Sequence, residues 1–302
     1  MPAWTADVTV DVTLARRLIG AQFPDVDPSG LHLLGDGYDM TVFATGDHVF
    51  RFPRREVVLP GFARETAVVP LLAPLLPLAV PVPVLLGRPA PDYPWPFAGY
   101  VLLRGVEISE LRPSRSVRAG LARPLAAFLH RLHSPEVLEA AGPARLPLDP
   151  QRRADMTVRV PRARDQIDAV ARLGLWSPAP AVERLLSSAS GLGPGGSITV
   201  VHGDFHLRHL LVDGGLPSAV IDWIDVSLAP RSVDLVLYWS LLPPEARALF
   251  IETYGPVAEE ELLRARVLSL FLCGALAEYA HHVGFDDLRQ EAVAGLELTM
   301  TE

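Results

Sequence analysis

Apolar and polar positions follow two textures along this 302-residue chain, and the change falls near its first third. In the first hundred residues the texture is mainly that of strands. Met40–Thr45 and His48–Pro53 are rich in Val, Phe and Thr and are separated by Gly46-Asp47, which predicts a β-hairpin. Residues 31–34, running into Gly35-Asp36-Gly37, predict a strand followed by a flexible turn. After the hairpin, Phe62, Glu65, Val69 and Leu72 fall at helical spacing, and Pro70 is expected to kink or end that helix. Residues 80–87 and 100–103 return to strand patterning across a proline-rich link.

From Ser116 onward Val117, Leu121, Leu125, Phe128, Leu129 and Leu132 recur every three or four residues, which predicts an amphipathic helix. Helices then dominate, with a long one over 262–282. Three short β runs interrupt them, at 198–201, 210–212 and 219–221. The pattern therefore predicts an α+β protein of two lobes. Residues 1–104 read as a mainly antiparallel sheet with one helix, and residues 105–302 as a mainly helical lobe. The glycine-rich stretch 191–196 is not a phosphate loop, because no Lys-Ser/Thr pair follows it.

Composition narrows the functional classes. Hydrophobic residues make up 49%, charged residues 21%, and mean hydropathy is +0.25, which excludes a disordered chain. The formal net charge is -8, and no block of basic residues offers a footprint for a phosphate backbone, so nucleic acid is not an expected partner. The single cysteine, Cys273, lies in an apolar run and reads as a structural thiol. Neither a secretory pattern at the N-terminus nor an unbroken apolar span is found: 68–86 is interrupted by Pro70, Pro74, Pro77, Pro81 and Pro83. The expectation is a cytoplasmic protein without membrane contact. The chain contains no lysine and no asparagine, so all 27 positions counted as Lys+Arg are arginine, and chemistry that ordinarily uses those two types must use others.

The densest polar cluster is His202-Gly203-Asp204-Phe205-His206-Leu207-Arg208-His209, set between two β runs, with Asp222 closing the third. Placed at strand mouths, Asp204, His209 and Asp222 are able to converge, and two carboxylates with an imidazole suit metal binding and proton abstraction. An isolated Asp in such a place reads as a turn cap paired with an arginine. The whole spaced set reads as functional.

Residues 201–213, followed by Val220-Ile221-Asp222-Trp223, resemble the catalytic and metal-binding loops of antibiotic phosphotransferases, the aminoglycoside and macrolide kinases of protein-kinase-like fold. Those enzymes commonly carry Asn where this chain has His209; the macrolide 2′-phosphotransferase branch is similar to this chain in placing His there. Upstream, 49–55 resembles the kinase third strand with Arg51 in the place of its phosphate-gripping lysine, and Glu65 matches the helix glutamate that pairs with that cation. Gly35 and Gly37 lie where the family has its nucleotide loop, although a simple turn looks the same. Residues 100–105 resemble the connector, whose Tyr100, Leu102 and Leu103 would offer backbone groups to a purine edge. The resemblance spans roughly residues 30 to 245.

The resemblance implies an alcohol-directed phosphotransferase: Asp204 receives the proton of the acceptor hydroxyl, and Asp222 with His209 holds Mg²⁺ on the phosphates of GTP or ATP. GTP comes first because the macrolide branch prefers it. His209 is the less conventional ligand, since Mg²⁺ favours oxygen. His202 and His206 read as braces of the loop. The run 267–280 is apolar with Glu278 as its one acid, which suits a macrolide against Glu278 and Tyr279, with helix core as the plainer reading. Asp286, Asp287 and Glu291 keep an acidic, aminoglycoside-type pocket open. Two rivals of other classes are a zinc hydrolase using His202, Asp204, His206 and His209, and a pseudokinase that holds nucleotide without transferring phosphate; small-molecule kinases of choline or homoserine type share the same loops and stand as a further alternative.

Overall fold

The computed structural model describes residues 6–37 and 39–302. The extreme N-terminus and Tyr38, which sits in the predicted glycine turn, lie outside the described residues. Two compact units are present, Met1–Pro74 with Val80–Leu103, and Leu75–Ala79 with Arg104–Glu302.

The first unit is a five-stranded antiparallel sheet of β1 (His32–Asp36), β2 (Met40–Thr45), β3 (His48–Pro53), β4 (Pro83–Gly87) and β5 (Phe97–Val101), in the order β1-β2-β3-β5-β4. The predicted hairpin forms around Gly46-Asp47, with Thr45 opposite His48. Two helices belong to this unit. α1 (Val12–Gln22) is an addition to the predicted elements: Asp11 caps it by accepting the Leu14 N–H at 2.8 Å, and Ala15, Leu18 and Ile19 are buried at helical spacing. In α2 (Leu59–Leu72) Pro70 does not end the helix at once: it lies inside the last turn, where its missing N–H deprives only the Thr66 carbonyl of its helical donor, and the chain goes on into a tight turn at Ala73–Leu75.

Alternation along β3 turns Phe50 and Phe52 into an aromatic core with Phe43, Tyr93 and Phe97, closed by Leu18 and Ile19 of α1. The Phe52 and Phe97 rings stack at 4.6 Å. A side chain at Gly87 would put its Cβ 2.2 Å from the Phe97 ring, so only glycine fits there. The segment Glu56–Leu75 is long and apolar enough to cross a membrane by length and composition. In this unit it carries the buried Glu65, paired to the sheet, and serves as the covering helix.

The second unit holds two small sheets. β6 (Val106–Glu107), β8 (Leu210–Asp213) and β9 (Leu216–Val220) form one in the order β6-β8-β9; β7 (Ile198–Val201) and β10 (Ser227–Pro230) form the other. β6 and β10 were not anticipated from the pattern, being short and partnered only through tertiary structure. The predicted helix after Ser116 is broken into α4 (Arg115–Gly120) and α5 (Ala122–Leu132), after the short α3 (Ile108–Leu111). At the break the Leu121 N–H is shared between the carbonyls of Val117 and Arg118, the tightening typical of a helix terminus.

The remaining helices are α6 (Pro135–Ala141), α7 (Met156–Arg172), α8 (Pro180–Ala189), α9 (Val236–Ser240), α10 (Pro244–Tyr254), α11 (Glu259–Val283) and α12 (Asp286–Met300). Their core joins Val160, Ile167 and Val170 of α7 to Leu268, Leu270 and Ala277 of α11 and Leu296 of α12. Cys273 is buried in it, and burial pushes its thiol up to about 12, which makes it a packing residue and not a nucleophile. Leu75–Ala79 is tied into this unit by Arg131 Nε donating to the Leu75 carbonyl at 3.0 Å and by a parallel bridge between Ala79 and Ala219.

Candidate active site

In the first unit the strand period of two that buries Phe50 and Phe52 directs Arg51 to the opposite face. There Arg51 Nη1 donates to Glu65 Oε1 of α2 at 2.5 Å, and the Tyr100 hydroxyl donates to the same oxygen at 3.0 Å. Glu65 is fully buried and Arg51 is 8% exposed. The structure thus unites Arg51, Glu65 and Tyr100 through side chains, while the Tyr100 backbone lies in the sheet between Val49 and Pro83. Beyond it, the Leu102 N–H donates to the Asp47 carbonyl at 2.8 Å; Leu102 is exposed and Leu103 half-buried.

Gly35 and Gly37 lie two strands away along the sheet order. Gly35 follows a register shift in β1, and the Gly37 N–H donates to the Met40 carbonyl at 3.0 Å, closing the turn as in an ordinary hairpin. Arg54 Nη1 pins this turn through the Gly37 carbonyl at 2.8 Å and the Asp36 carboxylate at 2.5 Å. Because removing one partner of a buried ion pair leaves an uncompensated charge, Glu65→Ala is expected to lower the unfolding free energy by about 3 kcal/mol, read from denaturant unfolding. A variant as stable as the parent would show that Arg51 finds equal compensation elsewhere.

In the second unit the polar cluster leaves β7 at Val201 and is gripped from below by Asp234. That fully buried carboxylate accepts the N–H of His202 at 2.7 Å and of Gly203 at 3.0 Å, and His133 Nε2 lies 3.3 Å from it. Gly203 has φ +90°, and a Cβ there would lie 2.3 Å from the Asp225 carbonyl oxygen, so the turn requires glycine. His202 is buried and braces the turn: its Nδ1 accepts the Asp204 N–H at 3.2 Å and its Nε2 donates to the Ile221 carbonyl at 2.9 Å. Burial, with His209 nearby, pushes its imidazole down and keeps it neutral.

Asp204, His209 and Asp222 are brought together. His209 Nδ1 lies 2.7 Å from the Asp204 carbonyl oxygen, which only accepts, so Nδ1 carries the proton. The Nε2 lone pair is then left 3.5 Å from Asp222 Oδ2. Burial and the neighbouring His206 push the His209 imidazole below its usual range, so it stays neutral and keeps that lone pair. Two acceptors 3.5 Å apart suit a cation, and this donor set of carboxylate and imidazole fits a divalent ion. Asp222 itself sits in the left-handed region at φ +63°, one of the few non-glycine types found there.

His206 stacks on His209 at 3.9 Å between ring centroids. Its Nδ1 accepts the Arg208 N–H at 3.3 Å, so the proton is on Nε2, facing Asp204 Oδ2 at 3.4 Å. Among the described residues Asp204, His206 and His209 form a group whose ligand atoms lie within 4.8 Å of one another. Their mutual hydrogen bonds make the same group a braced loop.

Two arginines at this site have no role assigned from the sequence, Arg153 and the Arg208 of the polar cluster. Arg153 Nη2 donates to Asp204 Oδ1 at 3.0 Å and to Asp225 Oδ2 at 2.9 Å. Burial works against the charge of Asp204, but Arg153, with His206 beside it, outweighs this and holds the carboxyl well below the usual range. Arg208 Nε donates to Glu107 Oε2 at 3.1 Å; burial opposes its charge, while Glu107, Tyr279 and Asp222 raise it above the ordinary value. Tyr279 of α11 is thereby placed in the electrostatic neighbourhood of the loop. Glu278 is instead engaged by Gln166 Nε2 of α7 at 2.5 Å. The only sequence signal for Arg153 was two arginines caught between Asp149 and Asp155, with nothing to indicate what they face.

No curated protein matches the sequence. Solved structures of similar fold include the GDP and kanamycin complex of APH(2″)-IIia, at 20% identity and TM-score 0.66 over 94% of this chain and 97% of that one. The macrolide 2′-phosphotransferase MphH from Brachybacterium faecium is similar at 23% identity and TM-score 0.57, over 95% and 97% of the two chains. Macrolide 2′-phosphotransferase type I matches at 21% identity and TM-score 0.54, over 97% and 98%. At these identities the likeness shows a shared fold, the kinase-like α+β fold expected from the loops. The sequence itself matches the model of the phosphotransferase enzyme family across residues 30–268. That match takes in both the Arg51–Glu65 pair and the Asp204 loop, and the chain belongs to the phosphotransferase enzyme family.

Proposed function

We propose that this protein transfers the γ-phosphoryl group of a purine nucleoside triphosphate to a macrolide, at the 2′-hydroxyl of its amino sugar, and thereby confers resistance. The observation that carries the phosphotransfer reading is the convergence of Asp204, His209 and Asp222 on one braced loop. Phosphoryl transfer needs alignment and charge neutralisation more than covalent chemistry. The acceptor oxygen forms its bond to the γ-phosphorus as the bond to the bridging oxygen breaks, and the hydroxyl proton leaves toward Asp204. A carboxylate held so far below its usual range orients the hydroxyl by accepting its hydrogen bond early, with proton transfer late.

Asp222 and His209 are the residues that would hold Mg²⁺, which when bound neutralises charge on the donor phosphates. In the first unit Arg51, positioned by Glu65 and Tyr100, takes the phosphate-gripping role of the missing lysine; Gly35 and Gly37 would border the nucleotide, and Leu102 and Leu103 would face its base. In this reading residues 1–104 bind nucleotide and 105–302 carry catalysis and acceptor binding, in the cytoplasm where nucleoside triphosphates are abundant.

A specific observation favours a macrolide over a polycationic aminoglycoside. The three acids that would line an aminoglycoside pocket are each paired with an arginine: Asp286 with Arg289 at 2.7 Å, Glu291 with Arg118 at 2.5 Å, and Asp287 with Arg112. Glu291, buried against Arg118, is a poor receptor for an ammonium group, whereas Asp286 and Asp287 lie in exposed pairs that neutralise them only weakly; the apolar run 267–280 is mostly helix core, and the half-buried Tyr279 is the residue of α11 that would meet a lactone. The test is a panel in which GTP and ATP are offered with erythromycin-like and kanamycin-like acceptors and products are weighed by mass spectrometry. The expected product is a monophosphorylated macrolide, with GTP the better donor. Phosphorylated kanamycin without macrolide product would overturn the substrate assignment, and nucleotide binding without any product would favour the pseudokinase.

A further inference from the structure

We propose that Arg153 is a positioning residue for phosphoryl transfer, holding the Asp204 carboxylate in the orientation that receives the acceptor hydroxyl; the inference rests on the role proposed for Asp204. Its Nη2 carries two hydrogens, and both are committed, one to Asp204 Oδ1 at 3.0 Å and the other to Asp225 Oδ2 at 2.9 Å. Two carboxylates that share one nitrogen repel each other unless a cation lies between them. Arg153 is that cation, and with its side chain 15% exposed it is shielded from the solvent screening that weakens surface pairs.

The local backbone is arranged to deliver this guanidinium. The Asp149 carboxylate accepts the N–H of Arg153 at 2.7 Å and of Ala154 at 2.9 Å, closing a turn just ahead of α7. Asp149 at φ +35° and Arg152 at φ +50° both sit in left-handed backbone, a strain on the order of 1 kcal/mol each that the surroundings must offset. The turn is also tied to β10: the Asp149 N–H donates to the Leu228 carbonyl at 2.7 Å, and the Leu228 N–H to the Pro147 carbonyl at 2.9 Å. β10 pairs with β7, Ser227 opposite Val201, and β7 leads directly into the Asp204 loop. Arginine, carboxylate and the strands that bear them are therefore parts of one hydrogen-bonded frame.

Arg153 on Oδ1 and His206 Nε2 facing Oδ2 at 3.4 Å fix the rotation of the Asp204 carboxylate about its last bond, and so fix the direction of its remaining lone pairs. Without Arg153 that rotation is released and Asp225 repels Asp204. Misplacement of a catalytic group by about 1 Å is enough to cost on the order of a hundredfold in rate.

The experiment compares wild type, Arg153→Met and Arg153→Lys in phosphate transfer to the preferred acceptor, with nucleotide binding and thermal melting measured in parallel. The expected result is a kcat lowered roughly 10- to 100-fold in Arg153→Met, KM for nucleotide changed by less than about twofold, and a large part of kcat recovered in Arg153→Lys. Retention of kcat within about twofold by Arg153→Met, while wild type transfers phosphate, would overturn the positioning role and leave the phosphotransfer reading intact. A variant that loses kcat, nucleotide binding and melting temperature together, without recovery by lysine, would reduce Arg153 to a structural residue and also overturn it. A wild-type protein that transfers no phosphate from either nucleotide would remove the phosphotransfer reading, and this inference with it.

Discussion

Asp204→Ala is expected to lower the rate of phosphate transfer by about a hundredfold or more while leaving nucleotide binding largely intact. The loop that carries Asp204 is held by groups other than its own side chain. Asp234 accepts the N–H groups of His202 and Gly203, His202 accepts the Asp204 N–H, and the Asp204 carbonyl accepts the hydrogen bond of His209 Nδ1–H. Cutting the side chain at Cβ therefore removes the oxygens that orient the acceptor hydroxyl without dismantling the turn. Arg153 keeps Asp225 as a partner, so its charge is not stranded. The measurement is kcat with the preferred acceptor beside nucleotide affinity by titration. Turnover near that of wild type would show that the hydroxyl is oriented by another group.

Asp222→Ala is expected to remove activity, again by on the order of a hundredfold, together with the response of both rate and nucleotide binding to magnesium. The reason lies in the facing pair: the Nε2 lone pair of His209 and the Asp222 carboxylate stand 3.5 Å apart, a spacing suited to sharing a cation. Because Asp222 has φ +63°, alanine there adds a backbone cost of about 1 kcal/mol or more that has nothing to do with metal. Asp222→Asn is the cleaner partner experiment, since asparagine tolerates the left-handed region and removes only the charge. Persistence of magnesium stimulation in both variants would move the metal-holding role away from Asp222.

Much of the fold was legible in order along the chain. The hairpin around Gly46-Asp47 forms because a two-residue turn fixes its own register, and the long α11 because an apolar stripe must be buried whatever it meets. Elements without a local signal were missed. β6 and β10 are too short to show a period and exist because β8 and β7 offer them hydrogen bonds. α1 carries local signals of its own, the Asp11 cap and the spacing of Ala15, Leu18 and Ile19, but stands alone within a stretch whose texture is that of strands. At the site, the motif residues could be named from spacing because the braced turn between two strands is local in sequence. Arg153 lies 51 positions before its partner, and no spacing rule links the two.

The sequence by itself determined the hairpin of the first unit, the long helix α11, the absence of lysine and asparagine, and the concentration of chemistry in the His202–His209 loop with Asp222. Those are properties of short segments, fixed by turn chemistry, periodicity and residue type. Only the tertiary structure decided which charges meet. It placed Arg153 between Asp204 and Asp225, gave Asp286, Asp287 and Glu291 an arginine each, and set the His209 lone pair against Asp222. An ion pair depends on distance and burial, and both arise from packing segments that lie far apart in the chain.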